Sequence, residues 1–292
     1  MYKRLFGGIV GGGLVVALIV GYVVFFSGNT PVEVDSVEAA EARQEAIAEA
    51  TGGANGGVQS DEADEADEAD EAEEDDEAEE DESSAALDTG QPDSNASVGS
   101  TTNGLWMVDT SIGTFGADCL TDVCGSSFVG FRIDEELANF GAKTVVGRTP
   151  GVSGSMELVG TQVIGAEFVV DMTGLITDND SRTGALRGPN GGIETDAFPE
   201  ARFELTQSIE LGSVPAEGAS IDVWATGNLS LHGVTNEVVI PLTAEVQAGV
   251  IIVFGNLEGI LLADYGIPKP TAVVVVSVED NATLELQLFF SR

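Results

Sequence analysis

The most constraining feature of this sequence is a succession of short alternating runs between Leu105 and Arg292. Apolar and polar residues alternate within each run, and glycine, proline or aspartate separates the runs, as is typical of half-buried strands joined by turns. The predicted strands are Leu105–Asp109, Ser126–Ile133, Gly151–Val159, Gln162–Asp171, Ala201–Leu211, Ile221–Leu231, Val234–Val246, Gly249–Glu258, Thr271–Val278 and Thr283–Phe290. This pattern contains no long helical period, so it predicts an all-β domain, either an antiparallel barrel or a sandwich. One or two short helices are expected, one of them at Ser181–Arg187.

A β-hairpin is predicted at Gly227–Leu242, where the sequence reads GNLSLHGVTNEVVIPL. The dipeptide His232-Gly233 lies at the reversal between two alternating runs. Glycine suits this place because it reaches positive φ without a steric penalty, as a two-residue turn requires. His232 is also the only histidine in the chain, so the sequence leaves open whether it serves the turn or a site.

Two predicted strands are apolar on both faces. VIIVFG at 250–255 places Val250, Ile252 and Phe254 opposite Ile251 and Val253, and AVVVVSV at 272–278 has the same character. In a closed barrel one face of each strand lines the lumen, and the other meets solvent or a covering element. The lumen should therefore be apolar. The pattern leaves open whether side chains fill it or a small apolar ligand occupies it.

The N-terminus carries a segment that predicts a membrane anchor. Residues 1–4 include Lys3 and Arg4, and residues 5–26 read LFGGIVGGGLVVALIVGYVVFF without a charge. A helix of this length spans a hydrocarbon core of roughly 30 Å. No small-x-small cleavage site follows, which favours an uncleaved signal anchor over a removed signal peptide. Residues 1–4 would then stay in the cytoplasm, and the C-terminal domain would be extracytoplasmic at the cell membrane. Small-xxx-small glycine spacings leave open a homodimer through the anchor.

Residues 27–104 are predicted to be a disordered acidic linker. Its first part, Thr30–Ala50, is compatible with a short helix, which the glycine-rich run from Thr51 would end. The repeat DEADEADEADEAEEDDEAEEDE at 61–82 has one sign of charge and no bulky apolar residue. Self-repulsion should keep such a segment extended, so we interpret it as a stalk. Residues 105–292 form the predicted globular domain.

The charge of the globular region argues against nucleic-acid binding. From Thr101 onward the chain has 8 basic and 25 acidic residues, and 8 − 25 gives a net charge of −17. A surface this negative repels phosphate backbones. Acidic surface residues of this kind are commonly explained by solubility alone.

The sequence offers little that would support catalysis or metal binding. Cys119 and Cys124 are close in sequence, and outside the cytoplasm a disulfide is the natural interpretation. Two thiolates and a distant histidine give no zinc pattern, and His232 has no G-x-S-x-G serine to serve. Neither an enzyme nor a cofactor is predicted. An acid-catalytic hydrolase remains a weak alternative, because no carboxylate pair stands out.

The order of motifs resembles the YceI-like, polyisoprenoid-binding family of bacterial envelope proteins. The matching segments are LWMVDTSIG at Leu105–Gly113, SFVGFRI at Ser127–Ile133, SRTGALR at Ser181–Arg187, FPEARFEL at Phe198–Leu205, GNLSLHGVTNEVVIPL at Gly227–Leu242 and ADYGI at Ala263–Ile267. The resemblance implies an eight-stranded antiparallel barrel of lipocalin type, with an isoprenoid chain such as a quinone or prenol tail in an apolar lumen. It implies a binding or carrier role rather than catalysis.

This chain departs from the family pattern at two places. Members often carry a histidine in the strand that corresponds to Phe128–Glu136, and here that strand reads FVGFRIDEE. The arginine-aspartate pair that usually precedes the FP motif is Arg182-Thr183 in this chain. If these polar groups contact the ligand head in relatives, head-group recognition differs here.

Candidate ligand-binding residues follow from the strand faces and from the rarity of cations. The predicted lumen residues are Phe131, Phe168, Phe203, Leu205, Leu229, Leu231 and Phe254, although each could equally serve ordinary core packing. Arg182 and Arg187 could bind a polar head at the mouth or form structural ion pairs, and His232 is placed at the rim. The predicted function is a membrane-anchored isoprenoid-lipid carrier. The alternative is a ligand-free structural or protein-interaction module of the envelope.

Overall fold

The computed structural model describes residues 30–52, 102–138, 141–270 and 275–292. The predicted anchor at 5–26 and the acidic repeat at 61–82 lie outside the described residues. Among the helices that are described, none combines the length and apolar composition needed to cross a membrane.

Strands dominate the described structure. The strands are β1 Gly104–Val108, β2 Phe128–Leu137, β3 Gly141–Thr149, β4 Val152–Val159, β5 Gln162–Asp171, β6 Ile176–Thr177, β7 Glu200–Leu205, β8 Ile209–Glu210, β9 Ser220–Leu231, β10 Val234–Gln247, β11 Val250–Leu261 and β12 Val275–Ser291. The α-helices are α1 Val37–Ala50, α2 Asp118–Thr121 and α3 Asp180–Ala185, and 3-10 turns occupy Met172–Gly174, Pro189–Gly191 and Leu262–Tyr265.

Eight of these strands close into an antiparallel barrel. The order is β1-β4-β5-β7-β9-β10-β11-β12, and β12 returns to β1 with Met107 opposite Ser291. Closure requires pairing between the first and last strands of the domain, because a barrel has no free edge. The predicted all-β fold is therefore confirmed. Of the two predicted architectures, barrel and sandwich, the structure has the barrel.

The wall is extended on one side by β2, β3 and β6. Both β1 and β2 pair with β12, β1 near its C-terminal end and β2 along Val275–Gln287. The sequence predicted two strands where β12 is one, because a register shift between Val278 and Ala282 interrupts its alternation. The prediction also missed β3, whose last five residues, 145–149, are all buried and so do not alternate.

The predicted hairpin is formed by β9 and β10. Leu231 pairs with Val234, and the two residues between them both have positive φ, 51° at His232 and 77° at Gly233. This is the backbone geometry that a two-residue turn needs to match the twist of its strands. The prediction of this turn is confirmed.

Helix α1 packs on the outside of the barrel. Ser36 caps it by accepting a hydrogen bond from the Ala39 amide at 3.1 Å, and it ends at Thr51. The short helix expected within Thr30–Ala50 is thus observed, but the linker prediction for 27–104 needs correction in this part, because α1 is folded against the barrel. Its buried residues are Ala39, Arg43, Ala46 and Ile47.

A second apolar core lies between α1 and the outer faces of β11 and β12. Its buried residues include Val34, Ile47, Ile252 and Phe289, and the last two are 0% exposed. This core explains why β11 is apolar on both faces, since one face lines the lumen and the other is covered. Cys119 and Cys124 form the predicted disulfide and pack into the same core.

Buried charges lie beside this second core. Glu285 is 0% exposed and accepts hydrogen bonds from Arg132 Nε at 2.8 Å and from Arg148 Nε at 2.6 Å. Both guanidinium groups also donate to the Val32 carbonyl, at 2.7 and 3.2 Å. The residues that precede α1 are therefore held to the barrel wall by two buried cations.

Candidate functional site

The lumen of the barrel contains an apolar cavity of about 210 Å³. Inward-facing residues of β4, β5, β9, β11 and β12 form its wall, among them Met156, Phe168, Leu229, Val253 and Leu286. Two charged residues of the wall have their partners outside the lumen: Arg202 pairs with Glu200, and Glu285 belongs to the buried outer cluster. The interior is therefore suited to a hydrocarbon group.

Six of the seven predicted lumen residues lie at this cavity, namely Phe131, Phe168, Phe203, Leu205, Leu229 and Leu231. Three of them are neighbours across the sheet: Phe203 lies opposite Phe168 on one side and opposite Leu229 on the other. The strand alternation correctly assigned their face. Contact with a ligand stays a prediction.

Phe254 does not belong to this group. It lies on the outer face of β11 together with Val250 and Ile252, and the Arg43 guanidinium stacks over its ring at 3.8 Å from the centroid. The prediction was wrong because both faces of this strand are apolar, so the sequence alone could not tell which face points inward.

A second cavity of about 210 Å³ adjoins the first. The two cavities share Phe131, Ile193, Leu231 and Leu284 as lining residues. Other parts of the second wall come from β2, β3, β12, α3 and the segment after β11, with Leu186 and Ile267 among the apolar contributors. Residues of α3 thus help to line a cavity beside the lumen, at the place where the sequence predicted a helical turn over the barrel end.

Two charged residues, Arg182 and Glu135, line the second cavity and belong to a cluster of ion pairs. Arg182 Nη1 lies 2.5 Å from Asp178 Oδ1, and Arg182 Nη2 lies 3.2 Å from Glu135 Oε1. Lys143 Nζ lies 3.4 Å from the second oxygen of Asp178. These four side chains are 10–15% exposed. Burial raises the pKa of Glu135, and the neighbouring Arg182 works against that rise.

Helix α3 positions Arg182 at the cavity. Asn179 caps the helix, and its Oδ1 accepts hydrogen bonds from the backbone amides of Ser181 and Arg182 at 3.0 and 3.1 Å. The side chain of Arg182 then points to β2, where Glu135 is located. The sequence predicted Arg182 but not its partners Glu135, Asp178 and Lys143. Asp178 lies four residues before Arg182, so the sequence held a local signal for this pair. Glu135 on β2 and Lys143 on β3 are distant in sequence and gave no such signal.

The other two predicted mouth residues have different surroundings. Arg187 is exposed and lines neither cavity. His232 also lines neither cavity: its ring packs on Phe198 with centroids 3.9 Å apart, and Nδ1 lies 3.2 Å from the Tyr265 carbonyl oxygen. His232 therefore joins the hairpin turn to the segments beside it.

Replacing His232 by asparagine should leave lipid content unchanged and lower the free energy of unfolding by about 1 kcal/mol. Asparagine tolerates the positive φ of this turn, and the lost ring contact with Phe198 accounts for the destabilisation. Lipid content can be measured by mass spectrometry and stability by urea unfolding. A large loss of lipid from a fully folded variant would instead place His232 in the binding site.

Within the described residues, no group of three or more histidine, cysteine, aspartate or glutamate side chains is arranged to hold a metal ion.

The chain is similar to a known protein family and to several solved structures. The model of the YceI-like domain matches residues 123–290. Among solved structures, a polyisoprenoid-binding domain from Saccharophagus degradans, implicated in plant cell wall breakdown, is 18% identical. It matches over 65% of this chain and 98% of its own, with a TM-score of 0.45.

Two further structures show the same level of similarity. BcnA from Burkholderia cenocepacia is 17% identical over 55% of this chain and 95% of its own, with a TM-score of 0.41. The YceI protein from Campylobacter jejuni is 15% identical over 50% of this chain and 84% of its own, with a TM-score of 0.41. No curated protein matches.

Proposed function

Since this chain belongs to the YceI-like family, we propose that it is a membrane-anchored, extracytoplasmic protein that binds an isoprenoid lipid by enclosing its chain in the barrel. The lipid would be a polyprenyl compound or an isoprenoid quinone. The protein would sequester or carry this lipid rather than transform it, so its action needs no catalytic group.

The observation that carries the proposal is the apolar cavity in the lumen together with the second cavity that adjoins it. Together they fall within the range of about 300–1,000 Å³ that is usual for small-molecule sites. Each Å² of apolar ligand surface removed from water contributes roughly 25 cal/mol, so a long hydrocarbon chain binds by burial alone. A flexible prenyl chain suits the apolar lining of the first cavity.

The membrane attachment is supported by the sequence alone. Residues 5–26 are apolar and follow two cations, which is the pattern of a signal anchor with its N-terminus in the cytoplasm. Attachment would hold the barrel near the bilayer, where isoprenoid lipids reside.

Extraction of the native protein tests the proposal. The full-length chain, purified from the membrane fraction of its host, should release one apolar isoprenoid lipid per molecule into organic solvent. Replacement of Ala225 by phenylalanine should abolish this content, because Ala225 is 3% exposed and lines the first cavity. Thr226→Phe is the matched control, since the neighbouring residue lies on the opposite face of β9.

The alternative of a ligand-free module gives a different result. In that case the wild-type protein yields no stoichiometric lipid, takes up no added prenol or quinone, and is unaffected by Ala225→Phe beyond a change in stability. This outcome would overturn the proposed function.

A further inference from the structure

The second cavity has a charge arrangement that bears on the head group of the ligand. Resting on the proposed function, we propose that this cavity receives the lipid head and that the cluster of Arg182, Glu135, Asp178 and Lys143 selects uncharged heads over phosphates. An alcohol or a quinone would thus be bound, and a prenyl phosphate rejected.

The charged groups that a lipid head could contact lie at the second cavity. Glu135 and Arg182 line the second cavity, whereas the first cavity is lined by apolar side chains and by residues whose charges face outward. A polar head in the first cavity would lose its hydration without a partner, which is costly. A lipid that fills the first cavity with its chain therefore places its head in the second, against these two residues.

The charges of the cluster are already paired with one another. The cluster contains two cations and two carboxylates, and every member has an oppositely charged partner within 3.4 Å. Phosphate sites in proteins use arginine or lysine groups that are free to bind the phosphate oxygens. Here both carboxylates already occupy the guanidinium of Arg182. A phosphate would have to displace one of these carboxylates from Arg182. The displaced carboxylate would then lie beside the phosphate, a second negative charge in a largely buried site.

An uncharged head can bind Arg182 without breaking these ion pairs. A guanidinium has five N–H donors, and the two carboxylates engage Arg182 through one bond each. A quinone carbonyl or a hydroxyl oxygen can accept from a remaining donor without disturbing either ion pair. A hydroxyl can also donate to Glu135. The cluster therefore satisfies a neutral head at little electrostatic cost.

Competition between two lipids with the same chain tests the inference. Full-length protein in mild detergent is incubated with an equimolar mixture of geranylgeraniol and geranylgeranyl phosphate, and the bound species are counted by native mass spectrometry. We expect the alcohol to be bound in at least tenfold excess. The preference should persist at 0.5 M salt, because high salt screens the acidic surface but not a buried cluster.

The variant Glu135→Gln distinguishes the effect of the buried cluster on lipid selectivity from the effect of the protein's overall negative charge. It frees one side of Arg182, so the excess of alcohol over phosphate should fall about tenfold. Glu136→Gln is the matched control: it removes the same charge from the adjacent residue, which is exposed on the other face of β2. The control should keep the wild-type ratio.

Two results would overturn the inference while leaving lipid binding intact. One is a wild-type protein that binds the phosphate as well as the alcohol. The other is an equal change of the ratio in Glu135→Gln and Glu136→Gln, which would assign selectivity to the surface charge. If neither lipid is bound, the proposed function itself fails, and the selectivity fails with it.

Discussion

Replacing Glu285 by glutamine should lower the free energy of unfolding by about 3–5 kcal/mol, the usual cost of removing one partner from a buried ion pair. The carboxylate is 0% exposed and is the shared partner of Arg132 and Arg148, and the side chain of Arg148 is itself 1% exposed. Without it, two guanidinium groups remain desolvated with backbone carbonyls as their main partners. Urea unfolding followed by circular dichroism measures the loss.

A control variant and a double variant test whether the loss of stability comes from the buried ion pairs of Glu285. Glu279→Gln removes a carboxylate from an exposed position of the same strand and should change stability by less than about 0.5 kcal/mol. Arg148→Met in the Glu285→Gln background should not add a full second loss, because both changes remove the same interaction. Equal stability of Glu285→Gln and Glu279→Gln would show that the cluster does not stabilise the fold.

Cutting the chain within residues 53–101 should leave the N-terminal fragment bound to the barrel. A specific protease site placed between Ser83 and Ser84 allows the cut in an otherwise intact protein. We expect the two fragments to elute together in size-exclusion chromatography under native conditions, and to separate in denaturant. The expectation follows from the contacts of residues 32–50 with the barrel wall.

Arg43 is central to these contacts. It is 2% exposed, and its Nη1 donates to the Val34 carbonyl at 2.6 Å and to Gln287 Oε1 at 3.2 Å. The helix approaches the wall closely at Gly125, where an added Cβ would lie 2.8 Å from the Ala42 carbonyl oxygen. Buried polar bonds and close backbone packing together favour a persistent complex.

Ile47→Asp should release the fragment after the cut, because it places an unpaired charge at a residue that is 1% exposed. Glu41→Gln changes an exposed residue of the same helix and should retain it. Immediate separation of the wild-type fragments would contradict the docking of α1.

This docking changes the role expected of the acidic segment. Residues 53–101 connect Gly52 to Thr102, and both of these ends belong to the same folded unit. The path from the predicted anchor to the barrel therefore runs through α1, and the acidic segment is not needed as the link. Cutting it in membranes should accordingly leave the barrel in the membrane fraction.

Part of this protein could be predicted from short-range sequence patterns. Alternation identified most strands and assigned Phe168, Phe203 and Leu229 to the inner face, since the two faces of those strands differ in polarity. His232-Gly233 identified the hairpin turn, and the spacing of Cys119 and Cys124 identified the disulfide. These features depend on neighbouring residues, so the sequence alone was sufficient for them.

Only the tertiary structure determined the features that depend on residues distant in sequence. The face of Phe254 was ambiguous because α1 covers the outside of β11, and the sequence does not show that cover. The role of Arg182 depended on Glu135, which is 47 residues away, and the buried pairs of Glu285 join strands that are far apart in the chain. Local patterns record the polarity of a strand, whereas ion pairs and covered faces exist only after the barrel has closed and brought these segments together.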